Sequence, residues 1–147
     1  VLDMFKKGIS VGLGTDGYTA DMTESYKVMN IISKHEKRLP SVGWLESPQM
    51  IFNNNPMIAN KFMKNGKVGV LKKGYYADII IVDYKAPTPL NENNINGHLL
   101  FGISGRNVDT TIINGKIVMD ERILTCIDEE KITSKSVELA KKVWSRI

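Results

Sequence analysis

A short apolar segment that ends at an acidic residue constrains this chain more than any other feature. Residues 9–13 (ISVGL) carry no charge, and the turn residues 14–17 (GTDG) follow with Asp16 among them. An uncharged run of this length is typical of a strand covered on both faces in a parallel sheet. Parallel strands are joined by crossovers of about a dozen or more residues, and too little sequence precedes this segment for one. We therefore expect the last strand of a barrel, so that the chain begins in the middle of a fold.

The composition of the chain argues against several classes of binding partner and of site. The 147 residues include 20 basic and 16 acidic side chains, which give a net charge of +4. The basic residues form no stripe interleaved with aromatic residues, so we do not expect the protein to bind nucleic acid. The single cysteine, Cys126, excludes an internal disulfide, and two histidines are too few for a self-contained zinc cluster. With neither a signal peptide nor a membrane-length apolar run, we expect no membrane partner and a cytoplasmic location.

Residues 1–65 are predicted to hold the barrel strand and the helices that follow it. Asp21 lies three residues before Glu24, as in a capping box. Apolar residues at helical spacing then predict a helix over residues 22–36. A second helix is predicted over residues 56–64, closed by the Asn-Gly pair at 65–66.

Residues 66–125 are predicted to be rich in β-structure, and residues 126–147 to form a terminal helix. β-Branched and apolar residues predict strands at 77–84, 98–102, 108–113, 116–119 and 122–125. The Asn114-Gly115 pair predicts a type I′ hairpin turn, since both central residues of such a turn need positive φ. Asp78 lies at the start of the first of these strands, in the G-x-x-A-D turn at 74–78, and is expected to fix this loop by hydrogen bonds. Asp128 is predicted to cap the terminal helix.

Three stretches, in this order, carry a family resemblance. They are residues 12–17 (GLGTDG), 66–83 (GKVGVLKKGYYADIIIVD) and 108–118 (VDTTIINGKIV). The set resembles the carboxyl-terminal third of the amidohydrolase superfamily, in its cyclic deaminase and chlorohydrolase branch, and most of all the SsnA-type aminohydrolases. The resemblance implies an α/β fold that comprises the carboxyl-terminal part of a TIM-like (β/α)8 hydrolase barrel, part of a composite β-sandwich and a terminal helix.

The resemblance also implies a metal-dependent hydrolase whose site lies at the carboxyl ends of the barrel strands. In the family an H-x-H pair, two further histidines and an aspartate at the end of the eighth strand hold the metal, and Asp16 matches that aspartate. The implied metal is zinc, with iron as the alternative. Asp16 would be both a metal ligand and the catalytic proton carrier, although its local sequence also fits an Asx turn over Gly17. His35 and His98 match no ligand position, so the segment alone is expected to be inactive.

Four further residues are expected to line the substrate pocket because they follow Asp16 on the same face: Thr15, Tyr18, Thr19 and Asp21. The implied activity removes an amino group from a small nitrogenous substrate by hydrolysing a C–N bond other than a peptide bond. Halide release or amide cleavage on the same scaffold stays open, as does a non-catalytic β-rich binding or assembly module. The expected partners are the missing amino-terminal part of the same protein, a small-molecule substrate and further copies of the chain in a homo-oligomer.

Overall fold

The computed structural model describes residues 1–147, with helices in the first half and an antiparallel sheet in the second. None of the helices combines the length and the apolar character that a membrane crossing requires. In chain order the elements are α1 (Leu2–Lys6), α2 (Met22–Lys37), α3 (Glu46–Pro48), a π-helical segment (Gln49–Asn54), α4 (Asn55–Ala59), β1 (Ile79–Val82), α5 (Ile95–Phe101), a 3₁₀ turn (Gly105–Asn107), β2 (Val108–Ile113), β3 (Lys116–Asp120), β4 (Ile123–Leu124) and α6 (Glu129–Trp144).

Helix α2 begins where the sequence predicts it. The side-chain oxygen Oδ1 of Asp21 accepts the backbone N–H groups of Thr23 at 2.8 Å and Glu24 at 3.3 Å, so two of the unpaired amides of the first turn are satisfied. In a full capping box the side chain of Glu24 would accept the backbone N–H of Asp21. Here that N–H donates to Thr19 Oγ1 at 3.1 Å instead. At the other end Arg38 adopts a left-handed conformation with φ of 53°, which ends the helix.

The sheet has the order β1-β2-β3-β4 with every neighbouring pair antiparallel. Its predicted hairpin is confirmed, since Asn114 and Gly115 have φ of 50° and 76° between β2 and β3. The backbone N–H of Asn114 donates to Asp78 Oδ1 at 2.6 Å, so Asp78 holds this hairpin turn, which is a different turn from the loop at 74–78 that it was expected to fix. A second tight turn, at Glu121 and Arg122, also has positive φ at both residues and joins β3 to β4.

Three predicted elements differ from the structure, and the first two are a strand and a helix. Residues 98–102 were expected in a strand and lie mostly in helix α5. Asparagine side chains form turns just before this helix and so favour its start. Asn91 Oδ1 accepts the N–H of Asn93, and Asn94 Oδ1 accepts the N–H of Asn91, both at 2.9 Å. The helix expected over residues 56–64 ends at Ala59 and continues a helical region that begins earlier, at Glu46.

The expected barrel strand over residues 9–13 is not formed as a strand in this chain. These residues lie outside the four-stranded sheet and make no ladder with any other segment. The physical reason is that strand structure depends on hydrogen bonds to a neighbouring strand, and an apolar sequence by itself does not supply one.

The packed core is small and lies beside this segment. Leu2, Met29 and Met50 are buried together, from α1, α2 and the π-helical segment, and Val11 and Leu13 pack against them. Only 13 of the 147 residues are buried, and none of them lies in α6. The core therefore positions the start of the chain against α2, while large apolar faces of α2 and α6 stay exposed.

Candidate functional site

Asp16 ends the segment that the core positions, and its carboxylate is free. Its backbone has φ of 51°, a left-handed conformation that aspartate tolerates better than most residues. In an Asx turn the amide of Tyr18 would donate to the Asp16 carboxylate, but it donates to the carbonyl of Thr15 at 3.4 Å. The residue is exposed. The structure thus leaves this carboxylate available to a ligand.

A cleft of about 590 Å³ opens beside Asp16, between its loop and helix α2. Four of the five residues predicted for the site line this cleft, and a wall of apolar side chains from the segment and from α2 faces them. The predicted residues are Thr15, Asp16, Tyr18 and Thr19; the apolar wall comprises Leu13, Val28, Met29 and Ile32. The cleft therefore combines two carboxylates, those of Asp16 and Glu24, and several hydroxyl groups with an apolar wall, as small-molecule sites commonly do.

Asp21, the fifth predicted residue, is engaged with the backbone. Besides capping α2, it accepts the N–H of Gly105 through Oδ2 at 2.9 Å. Burial by itself raises the pKa of this carboxyl, but hydrogen bonds from the Thr23 side chain and from the amides of Gly105, Thr23 and Glu24 outweigh burial and hold the pKa below its ordinary value. Asp21 fixes the end of the Asp16 loop as a charged, hydrogen-bonded side chain.

Two asparagines hold the segment that leads to Asp16, and the sequence analysis missed them. Asn55 Oδ1 accepts the backbone N–H of Leu13 at 2.9 Å, and its Nδ2 donates to the carbonyl of Leu13 at 2.9 Å. Asn54 Nδ2 donates to the carbonyl of Val11 at 2.7 Å. The only signal in the sequence is the run of asparagines at 53–55 directly before Pro56.

The chain supplies one candidate metal ligand and no complete metal site. It contains no group of three or more His, Cys, Asp or Glu side chains placed to hold an ion. His98 is buried, with Tyr84 Oη at 2.9 Å from Nδ1 and Thr88 Oγ1 at 3.1 Å from Nε2, so both ring nitrogens are already used. His35 is exposed on α2. Asp16, the predicted metal-site residue, combines an exposed side chain with no hydrogen-bond partner.

Comparisons with known proteins show which family and which proteins this chain resembles. A model of the amidohydrolase family matches residues 1–118. The chain is 35% identical to a 5-methylthioadenosine/S-adenosylhomocysteine deaminase of Dictyoglomus thermophilum over 97% of this chain and 34% of that protein. It is 30% identical to a 5'-deoxyadenosine deaminase of Methanosarcina barkeri over 100% of this chain and 34% of that protein.

A solved structure shares the fold at lower sequence similarity. A zinc-bound adenosine deaminase from Xanthomonas campestris matches with a TM-score of 0.79 and 16% identity, over 97% of this chain and 33% of that chain. The chain thus spans about a third of the length of the relatives it matches.

Proposed function

The chain belongs to the amidohydrolase family, and on this basis we propose that it is part of a metal-dependent aminohydrolase that removes an amino group from a small nitrogenous substrate. The relatives are named as deaminases of 5-methylthioadenosine, S-adenosylhomocysteine and 5'-deoxyadenosine. All three compounds carry an amino group on a purine ring. We therefore propose an aminopurine nucleoside as the substrate class, with hydrolysis of a C–N bond other than a peptide bond.

The observation that carries this proposal is the free carboxylate of Asp16 beside the cleft. A bound divalent ion, zinc in our proposal with iron as the alternative, activates water for hydrolysis. Asp16 would contribute one ligand, and its short side chain is suited to accept the proton of the water and return it to the leaving nitrogen. Thr15, Tyr18 and Thr19 would bind the substrate through their hydroxyl groups, and Asp21 would act by fixing their loop.

The remaining ligands and strands would come from the amino-terminal part of the same protein. We propose that residues 1–65 complete a TIM-like barrel, that residues 66–125 complete a β-sandwich and that residues 126–147 form the terminal helix. The small core and the exposed apolar faces of α2 and α6 support a further packing partner. We also propose that the intact protein forms a homo-oligomer and is located in the cytoplasm. Within the family, we propose that it is most similar to the SsnA-type aminohydrolases.

Other functions on this scaffold make different demands. Halide release or amide cleavage would use the same carboxylate and differ in the bond cleaved and in the group released. A non-catalytic β-rich module would need only residues 66–125, and it gives no role to a free carboxylate beside a cleft in the first part of the chain. We therefore favour an enzyme over a binding module. Identification of the released group, which is ammonia, a halide or the products of amide cleavage, distinguishes the three reactions.

The test is Asp16→Asn in the intact protein, with ammonia release from 5-methylthioadenosine as the assay. The amide keeps the shape but loses the charge and the ability to take a proton, so we expect kcat to fall by about 10²-fold or more. Asp128→Asn, at the start of exposed helix α6, is the matched control and should leave kcat unchanged. An Asp16→Asn variant that keeps more than about a tenth of wild-type kcat would contradict the proposed proton carrier.

A further inference from the structure

We propose that Asn54 and Asn55 are positioning residues that set the place of Asp16. Their side-chain amides give the segment before Asp16 hydrogen bonds of the kind a neighbouring strand makes. Leu13 exchanges both of its backbone groups with Asn55, as two paired residues of an antiparallel ladder do. This inference rests on the proposed role of Asp16 as a metal ligand.

The orientation of both amides is fixed by their partners. A backbone N–H needs an acceptor and a backbone carbonyl needs a donor, so only one orientation of the Asn55 amide satisfies Leu13. Asn54 is 7% exposed, donates to the carbonyl of Val11 and accepts from Gln49 Nε2 at 3.2 Å. The segment is thus held at two points, two residues apart, by the buried amide of Asn54 and the half-buried amide of Asn55.

Gly12 lies between the two held residues and belongs to the same contact. A Cβ on Gly12 would overlap Oδ1 of Asn55 and would touch Ile58 Cδ1 at 3.4 Å. The absence of a side chain at this position lets helix α4 approach the segment closely enough for the amide to bond to Leu13. Gly12 and Asn55 therefore form one structural unit.

The position of Leu13 matters because Asp16 follows it by three residues. A carboxylate that serves as one ligand among several must reach a fixed point, and a displacement of about 1 Å can cost on the order of 10²-fold in rate. Groups that orient a ligand typically affect metal affinity by about 10- to 100-fold. Loss of the Asn55 contact should therefore be measurable as weaker metal binding.

The chain offers a matched control for this contact. Asn60 Oδ1 accepts the N–H of Val68 at 2.9 Å, and its Nδ2 donates to the carbonyl of Val68 at 3.1 Å. This is the same pair of hydrogen bonds, made just after helix α4, to a segment that does not lead to Asp16. Asn55 and Asn60 thus make the same pair of hydrogen bonds but to different segments, and only the segment bound by Asn55 leads to Asp16.

The experiment compares Asn55→Leu with Asn60→Leu in the intact protein. Each change removes two hydrogen bonds and keeps the number and branching of the side-chain heavy atoms, and the added hydrogen atoms enlarge both side chains equally. The readouts are the zinc dissociation constant, from competition with a chelator, and the amide exchange rates of Leu13 and Val68. We expect Asn55→Leu to weaken zinc binding about tenfold or more and Asn60→Leu to change it by less than about twofold, with faster exchange at Leu13 and Val68 respectively.

Two results would overturn the inference: a folded Asn55→Leu variant with wild-type zinc affinity, or an equal loss of affinity in Asn60→Leu, which would show only general destabilisation. Asp16→Asn in the same series separates this inference from the proposed function. Wild-type zinc affinity in Asp16→Asn contradicts Asp16 as a ligand. If Asp16→Asn loses zinc and Asn55→Leu does not, only the positioning role is wrong.

A second pair of variants covers the case in which Asn55→Leu does not fold. Gly12→Ala displaces the Asn55 amide from the other side, and Asn55→Ala makes room for the new methyl group. We expect Gly12→Ala to weaken zinc binding about tenfold in the wild-type background and less than about twofold when Asn55→Ala is already present. Losses that multiply independently would show that the two positions are not coupled and would overturn the inference.

Discussion

The carboxylate oxygen Oδ2 of Asp21 accepts the backbone N–H of Gly105 at 2.9 Å, across 84 residues of sequence. The other oxygen of the same carboxylate caps helix α2 through Thr23 and Glu24. One side chain therefore ties the loop of the candidate site to the turn that precedes β2. Gly105 is required at this contact, because a Cβ there would lie 2.7 Å from Asp21 Oδ2.

Replacement of Asp21 should destabilise the protein more than loss of an ordinary helix cap. Asp21→Ala removes the cap, at a cost of about 1 kcal/mol, and leaves the Gly105 amide without its partner, at a further cost of about 1 kcal/mol or more. Asp128→Ala is the control, because Asp128 caps α6 through the amide of Lys131 and α6 has no buried residue. Urea unfolding of the intact protein measures both, and equal losses would show that the Gly105 contact contributes nothing.

The same carboxylate predicts how stability depends on pH. Its folded-state pKa lies below the ordinary value of 3.8 because the hydrogen bonds it accepts outweigh the effect of burial. The charged form is therefore favoured by folding, and its contribution is fully present well above pH 3.8 and is lost as the pH falls through the lowered pKa.

Comparison of wild type with Asp21→Asn isolates this contribution. The lowered pKa values of Asp3, held by its hydrogen bond to Lys37, and of Glu138, held by its hydrogen bond to Lys135, affect both proteins equally. We expect a constant difference in unfolding free energy between about pH 7 and pH 5 that shrinks below about pH 4. A difference that grows on acidification would mean that Asp21 is not charged and hydrogen-bonded in the folded protein.

Elements specified by neighbouring residues were predictable from the sequence. Asp21 begins α2, the Asn114-Gly115 turn joins β2 to β3, and Asp128 begins α6, as their local chemistry indicates. In each case the determining contact lies within a few residues, so the sequence window contains the whole cause. The prediction for Asp16 depended instead on the family resemblance, because its local sequence also fits an Asx turn.

Features that depend on distant contacts were not predictable. Residues 9–13 have the composition of a strand but lack a partner strand here, and the side chains that replace the partner, Asn54 and Asn55, come from about forty residues further along the chain. His98 reads as part of a strand because Leu99 and Leu100 follow it, whereas its hydrogen bonds with Tyr84 and Thr88 are made in a helix. Pairing of this kind leaves no periodic signal in one sequence.

Tyr84 should matter for stability through the buried His98. Tyr84→Phe removes the hydroxyl group at 2.9 Å from Nδ1 and leaves a polar nitrogen without a partner in a side chain that is only 8% exposed. We expect a loss of about 1 to 3 kcal/mol in unfolding free energy. Tyr18→Phe is the control, since Tyr18 is 95% exposed and its change should stay within about 0.5 kcal/mol. A Tyr84→Phe protein as stable as Tyr18→Phe would show that this hydrogen bond does not stabilise the fold.

Zinc content should differ between the 147-residue chain and the intact protein. Protein zinc sites use three or four protein ligands. The 147-residue chain brings no three candidate ligands together, so Asp16 alone cannot retain the ion. After dialysis against metal-free buffer, elemental analysis should find about one zinc per intact chain and close to none on the 147-residue chain. Asp16→Asn in the intact protein should lower the retained zinc if Asp16 is a ligand. Stoichiometric zinc on the 147-residue chain would contradict this reading, because it would mean that the site is complete without the other barrel strands.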